Sequence, residues 1–210
     1  MRNFFKYSFF VSDLKLNLKE FQLKTGTGFE EEINHLINSF SSIEAIGGFV
    51  NLPASEVNLD MGKRISGYFK KAELFSIFVV TLGKGYVELQ DRYRGDPLLY
   101  FLSDLLASEY TELAADSLHL KIAAHAESLS MKFSNRYSPG YCQWSTKDQG
   151  SLFSYLPPNP CGVQLTDSFL MTPVKSISGA VAIGSDVRFH KYDCNLCRDD
   201  KCLYREKYIL

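Results

Sequence analysis

The sequence predicts a mixed helix and sheet protein of the α/β or α+β kind, and three observations carry that expectation. Helical and strand-like periods alternate between Phe4 and Leu82. The stretch from Leu98 to about Phe133 holds no Pro or Gly and is rich in Ala and Leu, as one long helix of roughly 50 Å would be. Beyond it, Val163 to Met171 and Ser176 to Ile183 alternate like two antiparallel strands joined by a turn at Pro173.

In order along the chain, Phe4 to Leu23 shows the period of a half-buried strand, with Leu14, Leu16 and Leu18 separated by Lys15 and Asn17. Thr25-Gly26-Thr27-Gly28 breaks it. Glu30 to Phe40 places Ile33, Leu36, Ile37 and Phe40 at helical spacing, and Ile43 to Val50 reads as a strand. Met61 to Ala72 is amphipathic, and Leu74 to Leu82 is apolar enough to be a buried strand. Pro97 suits the first turn of the long helix. Ser145-Thr146-Lys147-Asp148 has the pattern of a helix start, and Pro157-Pro158-Asn159-Pro160 ends that helix.

Composition narrows the function classes. The chain has 210 residues, and its 16 Phe and 12 Tyr are enough to fill a core. Lys and Arg number 23 against 24 Asp and Glu, so the basic excess of a nucleic-acid binder is missing. The most apolar stretch, Leu74 to Leu82, falls well short of the roughly 20 residues that span a bilayer, and the start does not read as a signal peptide. A cytoplasmic protein is expected, with neither nucleic acid nor membrane as partner. The cysteines number five, and Cys194, Cys197 and Cys202 lie together, which in that compartment points to metal or redox chemistry before disulfides.

Three constellations could carry chemistry. Asp104 and Glu112 sit on one broad side of the long helix, where carboxylates can accept hydrogen bonds from an ammonium group; the same spacing fits a solvated face, where acids usually lie. Arg136 precedes Pro139-Gly140-Tyr141, a stiff loop with one glycine that lets backbone approach a ligand and a guanidinium that can fork a carboxylate. Taken alone it is also an ordinary turn with a packed tyrosine. The thiolates of Cys194, Cys197 and Cys202 suit zinc or an iron–sulfur cluster, with His190, Cys142, Cys161 or an outside group as fourth ligand, or they are simply reduced thiols. Neither Gly26-Thr27-Gly28 nor Gly83-Lys84-Gly85 has phosphate-loop spacing, and no nucleophile-base pair supports a hydrolase.

Taken in order, Thr81-Leu82-Gly83, Gly95-Asp96, Asp104 with Glu112, Arg136-Tyr137-Ser138-Pro139-Gly140-Tyr141, Leu165-Thr166-Asp167-Ser168 with Met171 and Pro173, and Ser176-Ile177-Ser178-Gly179 resemble the activation domain of cobalamin-dependent methionine synthase. The resemblance covers roughly residues 60 to 205 and is narrower to free-standing relatives that end in three cysteines and an arginine, here Cys202-Leu203-Tyr204-Arg205. It implies a helmet-like α+β fold with a bent antiparallel sheet, formed by residues 1–210 as one unit, with 1–60 outside the clear likeness and 186–210 as a Cys-rich end. It implies S-adenosylmethionine as ligand, docking on the cobalamin-binding domain of a corrinoid methyltransferase, and one electron from a flavodoxin-type reductant to remethylate cob(II)alamin. Asp104 belongs to the implied ligand site; Glu112 would meet the ligand's amino group, Arg136 its carboxylate, and the backbone around Pro139, Gly140 and Tyr141 its adenosine. Ala180-Val181 stands where the full-length enzyme has an aromatic pair. The alternative from another class is a metal or iron–sulfur accessory protein that uses Cys194, Cys197 and Cys202 and binds no nucleoside.

Overall fold

The computed structural model describes residues 3–26, 28–142 and 144–192. Cys194, Cys197 and Cys202 lie outside the described residues.

Strand β3 (Leu74–Thr81) explains the architecture. Phe78 and Val80 enter one apolar cluster and Phe75, Ile77 and Val79 the other, so both faces are buried and the strand reads as an unbroken apolar run. It lies at the centre of a curled antiparallel sheet of order β1-β2-β3-β7-β4, with β1 at Phe4–Phe10, β2 at Glu44–Pro53, β4 at Lys132–Phe133 and β7 at Ser176–Gly184. The register pairs Phe49 with Phe78 and Phe78 with Gly179. Along β7, Val181 and Ile183 face the first cluster, and Ala180 and Ala182 the second.

Helices α2 (Glu30–Phe40), α4 (Gly83–Asp91) and α5 (Pro97–Ser128) cover the first face. Leu106, Tyr110, Ala114, Leu118 and Ile122 of α5 are buried there at helical spacing. On the other face lie α3 (Gly62–Tyr68), α6 (Gln149–Phe153) and the segment carrying Tyr137 and Trp144. A short hairpin of β5 (Gln164–Leu165) and β6 (Met171–Thr172) stands apart from the main sheet.

The ends of α5 show how local chemistry sets its length. Asp96 caps the start by accepting from the N–H groups of Leu98 and Leu99, both at 3.0 Å, and Pro97 takes the first position. The helix stops at Ser128, short of the expected Phe133. Ser130 adopts φ +57°, its N–H bonds to Glu127 O, and the Met131 N–H reaches back to Ala126 O. This is a Schellman closure made without its usual glycine, so the sequence carries no stop signal there.

Other expectations need correction. The alternation through Leu18 does not continue β1: Asn17 accepts from the Glu20 N–H and starts helix α1 (Leu18–Thr25). The helix expected over Met61 to Ala72 is confined to Gly62–Tyr68. Val163–Met171 does not pair with Ser176–Ile183; β7 pairs with β3 and β4, and β5 pairs with β6. Helix α4 follows β3 where no element is expected from the sequence.

Candidate functional site

The site begins with an irregularity at the edge of the sheet. Lys132 and Phe133 pair with Gly184 and Ile183, and the Ser134 N–H continues the ladder to Ala182 O. Tyr137 then bridges Ala180, each N–H donating to the other's carbonyl. Asn135 and Arg136 therefore share the place opposite Val181, which is a β-bulge. It sends Arg136 toward α5 and Tyr137 to the opposite face. Gly179 is part of the same device, because a Cβ there would run into the Tyr137 carbonyl oxygen.

The Arg136 main chain is fixed on both sides. Its N–H donates to Asn135 Oδ1 at 2.9 Å, and the Tyr192 hydroxyl donates to its carbonyl at 2.5 Å. Its side chain is only 2% exposed. Nη2 lies 2.5 Å from Glu112 Oε2 and 2.9 Å from Asp116 Oδ1, and Nε lies 3.2 Å from the same Asp116 oxygen. Burial opposes its charge, but Tyr192, Glu112 and Asp116 outweigh that penalty and hold its pKa well above the ordinary value.

Asp104, Ser108, Glu112 and Asp116 follow one another at i, i+4 along α5, so they line one side of it. Lys175 meets the first two, 2.8 Å from Asp104 and 2.9 Å from the Ser108 hydroxyl, and Arg136 meets the last two. Glu112 and Arg136 thus bond to each other, whereas Asp104 engages Lys175.

Beyond Arg136 the chain tightens into a loop. Gly140 takes φ +101° and donates to Trp144 O at 2.7 Å, while the Tyr141 N–H returns to Ser138 O at 3.0 Å. Three buried polar atoms of this region have no hydrogen-bond partner among the described residues: Arg136 Nη1, Ser138 Oγ and Trp144 Nε1. Buried donors are normally satisfied by protein, water or a ligand.

His119, one turn beyond Asp116, is half-buried, and its Nε2 lies 3.0 Å from Ser134 O. A carbonyl only accepts, so Nε2 carries the proton. Burial and the Arg136 charge together push its pKa down, against the Ser134 bond and Asp116. Asp116 and His119 also border a groove floored by Leu120, Ala123, Phe133 and Phe189; Pro139, Gly140 and Tyr141 do not line it.

Of the residues considered as a fourth metal ligand, His190 stacks on Tyr68 with ring centroids 4.6 Å apart, and burial pushes the Cys161 thiol up to about 11. Among the described residues no three His, Cys, Asp or Glu side chains are grouped to hold a metal ion, and no helix is long and apolar enough to cross a membrane.

Residues 65–207 match the family model described as the vitamin B12 dependent methionine synthase activation domain. The chain belongs to this activation-domain family. A solved structure of the MetH reactivation domain bound to AdoHcy shares the fold, with a TM-score of 0.65, 16% identity, and coverage of 98% of this chain and 86% of that one. No curated protein sequence matches the chain. In this member of the activation-domain family the Ala180-Val181 pair lies inside β7, with both side chains fully buried, so neither offers an aromatic surface to a ligand.

Asp116, Ser138, Trp144 and Tyr192 join the candidate site in the structure without having been singled out from the sequence. Asp116 alone had a legible signal, since it lies one helical turn beyond Glu112.

Proposed function

We propose that this protein binds S-adenosylmethionine between α5 and the Arg136 loop and acts, as a separate chain, in reactivating a cobalamin-dependent methyltransferase of the methionine synthase type. The observation that carries the reading is the buried guanidinium of Arg136, paired with Glu112 yet with Nη1 unpartnered. An amino-acid zwitterion needs one acid and one fork-shaped cation, and both stand here already in contact. Ser138 Oγ and Trp144 Nε1 are further buried polar atoms that a bound nucleoside could satisfy. The AdoHcy-bound structure that shares the fold supports the same class of ligand.

In this reading Arg136 takes the ligand carboxylate, Glu112 takes its ammonium, and the backbone of Pro139, Gly140 and Tyr141 holds the adenosine. The methyl donor supplies an activated methyl group. With one electron from a flavodoxin-type reductant, methyl transfer converts cob(II)alamin on the partner's cobalamin-binding domain to methylcobalamin and leaves S-adenosylhomocysteine. The chain's own contribution is to hold the donor in place, so its part in catalysis is proximity.

Titration calorimetry tests the first step. S-adenosylmethionine should bind the wild-type protein. Arg136→Ala should weaken it more than Arg136→Lys, which keeps the charge and loses the fork. No heat with the wild type at millimolar ligand would sink the reading. Capture of the protein by an immobilised cobalamin-binding domain tests the second step, and failure of capture with and without ligand would remove the partner.

A further inference from the structure

The two acids that hold Arg136 do so in different ways. Glu112 meets Nη2 alone. Asp116 covers the side edge of the guanidinium, one oxygen accepting from both Nε and Nη2. A planar guanidinium offers a carboxylate two edges, the Nε and Nη2 side and the Nη1 and Nη2 end. Here Asp116 fills the first, and the second is left with Nη1 buried and unpartnered among the described residues.

We infer that Asp116 is a positioning residue for this site: it fixes the rotation of the Arg136 guanidinium so that the Nη1 and Nη2 end faces the ligand carboxylate, while Glu112 is the acid that exchanges Arg136 for the ligand's ammonium. The inference rests on the proposed binding of S-adenosylmethionine or its product. The main chain cannot supply this orientation. Its bonds to Asn135 and Tyr192 fix the backbone of Arg136, whereas the long side chain beyond keeps its rotamer freedom unless something holds its far end. Asp116 is placed to do so from outside, its side chain 54% exposed against 20% for Glu112. The more enclosed acid is therefore the one beside the unpartnered end.

The test compares wild type, Asp116→Ala and Asp116→Asn with two ligands. S-adenosylhomocysteine carries the amino-acid end, and 5′-methylthioadenosine has the nucleoside thioether without it. Asp116→Ala should weaken S-adenosylhomocysteine about tenfold, the size of one charge-assisted orienting contact, and leave 5′-methylthioadenosine within about twofold. Asp116→Asn keeps an acceptor oxygen and should fall between. The melting temperature should fall somewhat in both variants, because the buried Arg136 keeps only Glu112 as a full charged partner; the ratio of the two affinities separates orientation from that structural loss. Equal losses for both ligands would make Asp116 merely structural and overturn the inference. Unchanged or tighter S-adenosylhomocysteine binding in Asp116→Ala would also overturn it, the latter by showing that Asp116 competes with the ligand. Should Asp116→Ala fail to fold, a selective loss in Asp116→Asn supports the inference and an unselective one refutes it. Wild-type protein that binds neither ligand removes the proposed function itself, whereas wild-type binding matched by Asp116→Ala removes only this inference.

Discussion

Arg136 Nη2 lies 2.5 Å from Glu112 Oε2, so the cation and the acid proposed to bracket a zwitterion bond to each other in the protein alone. Ligand binding is then an exchange: one internal ion pair opens and two pairs to the ligand close. Neither charge has to be brought from water into the site at that moment, which lowers the desolvation cost of binding.

Glu112→Gln should lower both affinity and stability. The amide keeps an oxygen for Arg136 and loses the charge, so a buried cation relies on Asp116 alone; a loss of about 1 to 2 kcal/mol is expected in urea unfolding. Calorimetry on the same protein should show weaker S-adenosylmethionine binding. Unchanged urea midpoints would mean that the ion pair contributes nothing to the fold.

Ser138→Ala should separate ligand binding from stability. Its buried hydroxyl has no partner among the described residues, so removing it should leave the melting temperature unchanged or slightly higher. If the hydroxyl serves the ligand, affinity should fall about three- to tenfold. A drop in melting temperature would show that the hydroxyl is satisfied within the fold.

His119 gives a signed pH dependence. Its folded pKa lies below the unfolded value of about 6.5, because burial and the Arg136 charge disfavour the imidazolium. The unfolded chain therefore takes up the proton first as the pH falls. The contribution of His119 is fully present above about pH 6.5 and is lost from there down to its folded pKa. Urea midpoints at pH 7.5 and 5.5 should differ more for wild type than for His119→Gln. Equal differences would place the titration elsewhere.

Gly179→Ala should cost about 2 to 3 kcal/mol, because the added methyl meets the Tyr137 carbonyl oxygen and the Phe78 ring. The backbone must shift, and the Tyr137 bridge that anchors the Arg136 loop should open. Loss of amide protection at Tyr137 and Ala180 in hydrogen exchange would register it. Intact protection would show that the strands absorb the methyl by sliding apart elsewhere.

Much of the fold was legible because long buried elements carry strong periods. β3 showed as an apolar run and α5 as an uninterrupted stretch without Pro or Gly. The end of α5 was hidden because Ser130, not glycine, takes the left-handed position. α1 was hidden because Leu14, Leu16 and Leu18 mimic a strand until the Asn17 cap turns the chain. In the site, Glu112 and Arg136 could be named from residue type and order. Their mutual contact, the Tyr192 hydrogen bond to the Arg136 carbonyl and the unsatisfied atoms of Ser138 and Trp144 depend on packing between segments far apart in sequence, for which no local spacing exists.

The bulge opposite Val181 gives this edge of the sheet one more residue than a regular strand would hold. Because Asn135 and Arg136 together occupy one step of the ladder, the strand changes phase between Ser134 and Tyr137. Deleting Asn135 would restore a regular pleat in which Ser134 and Tyr137 keep their partners and their faces, and Arg136 alone would stand opposite Val181, still on the side of α5. What would go is the hold of Asn135 on the Arg136 N–H and on the His190 carbonyl. The extra residue is slack that the sheet does not need and that the site has put to use.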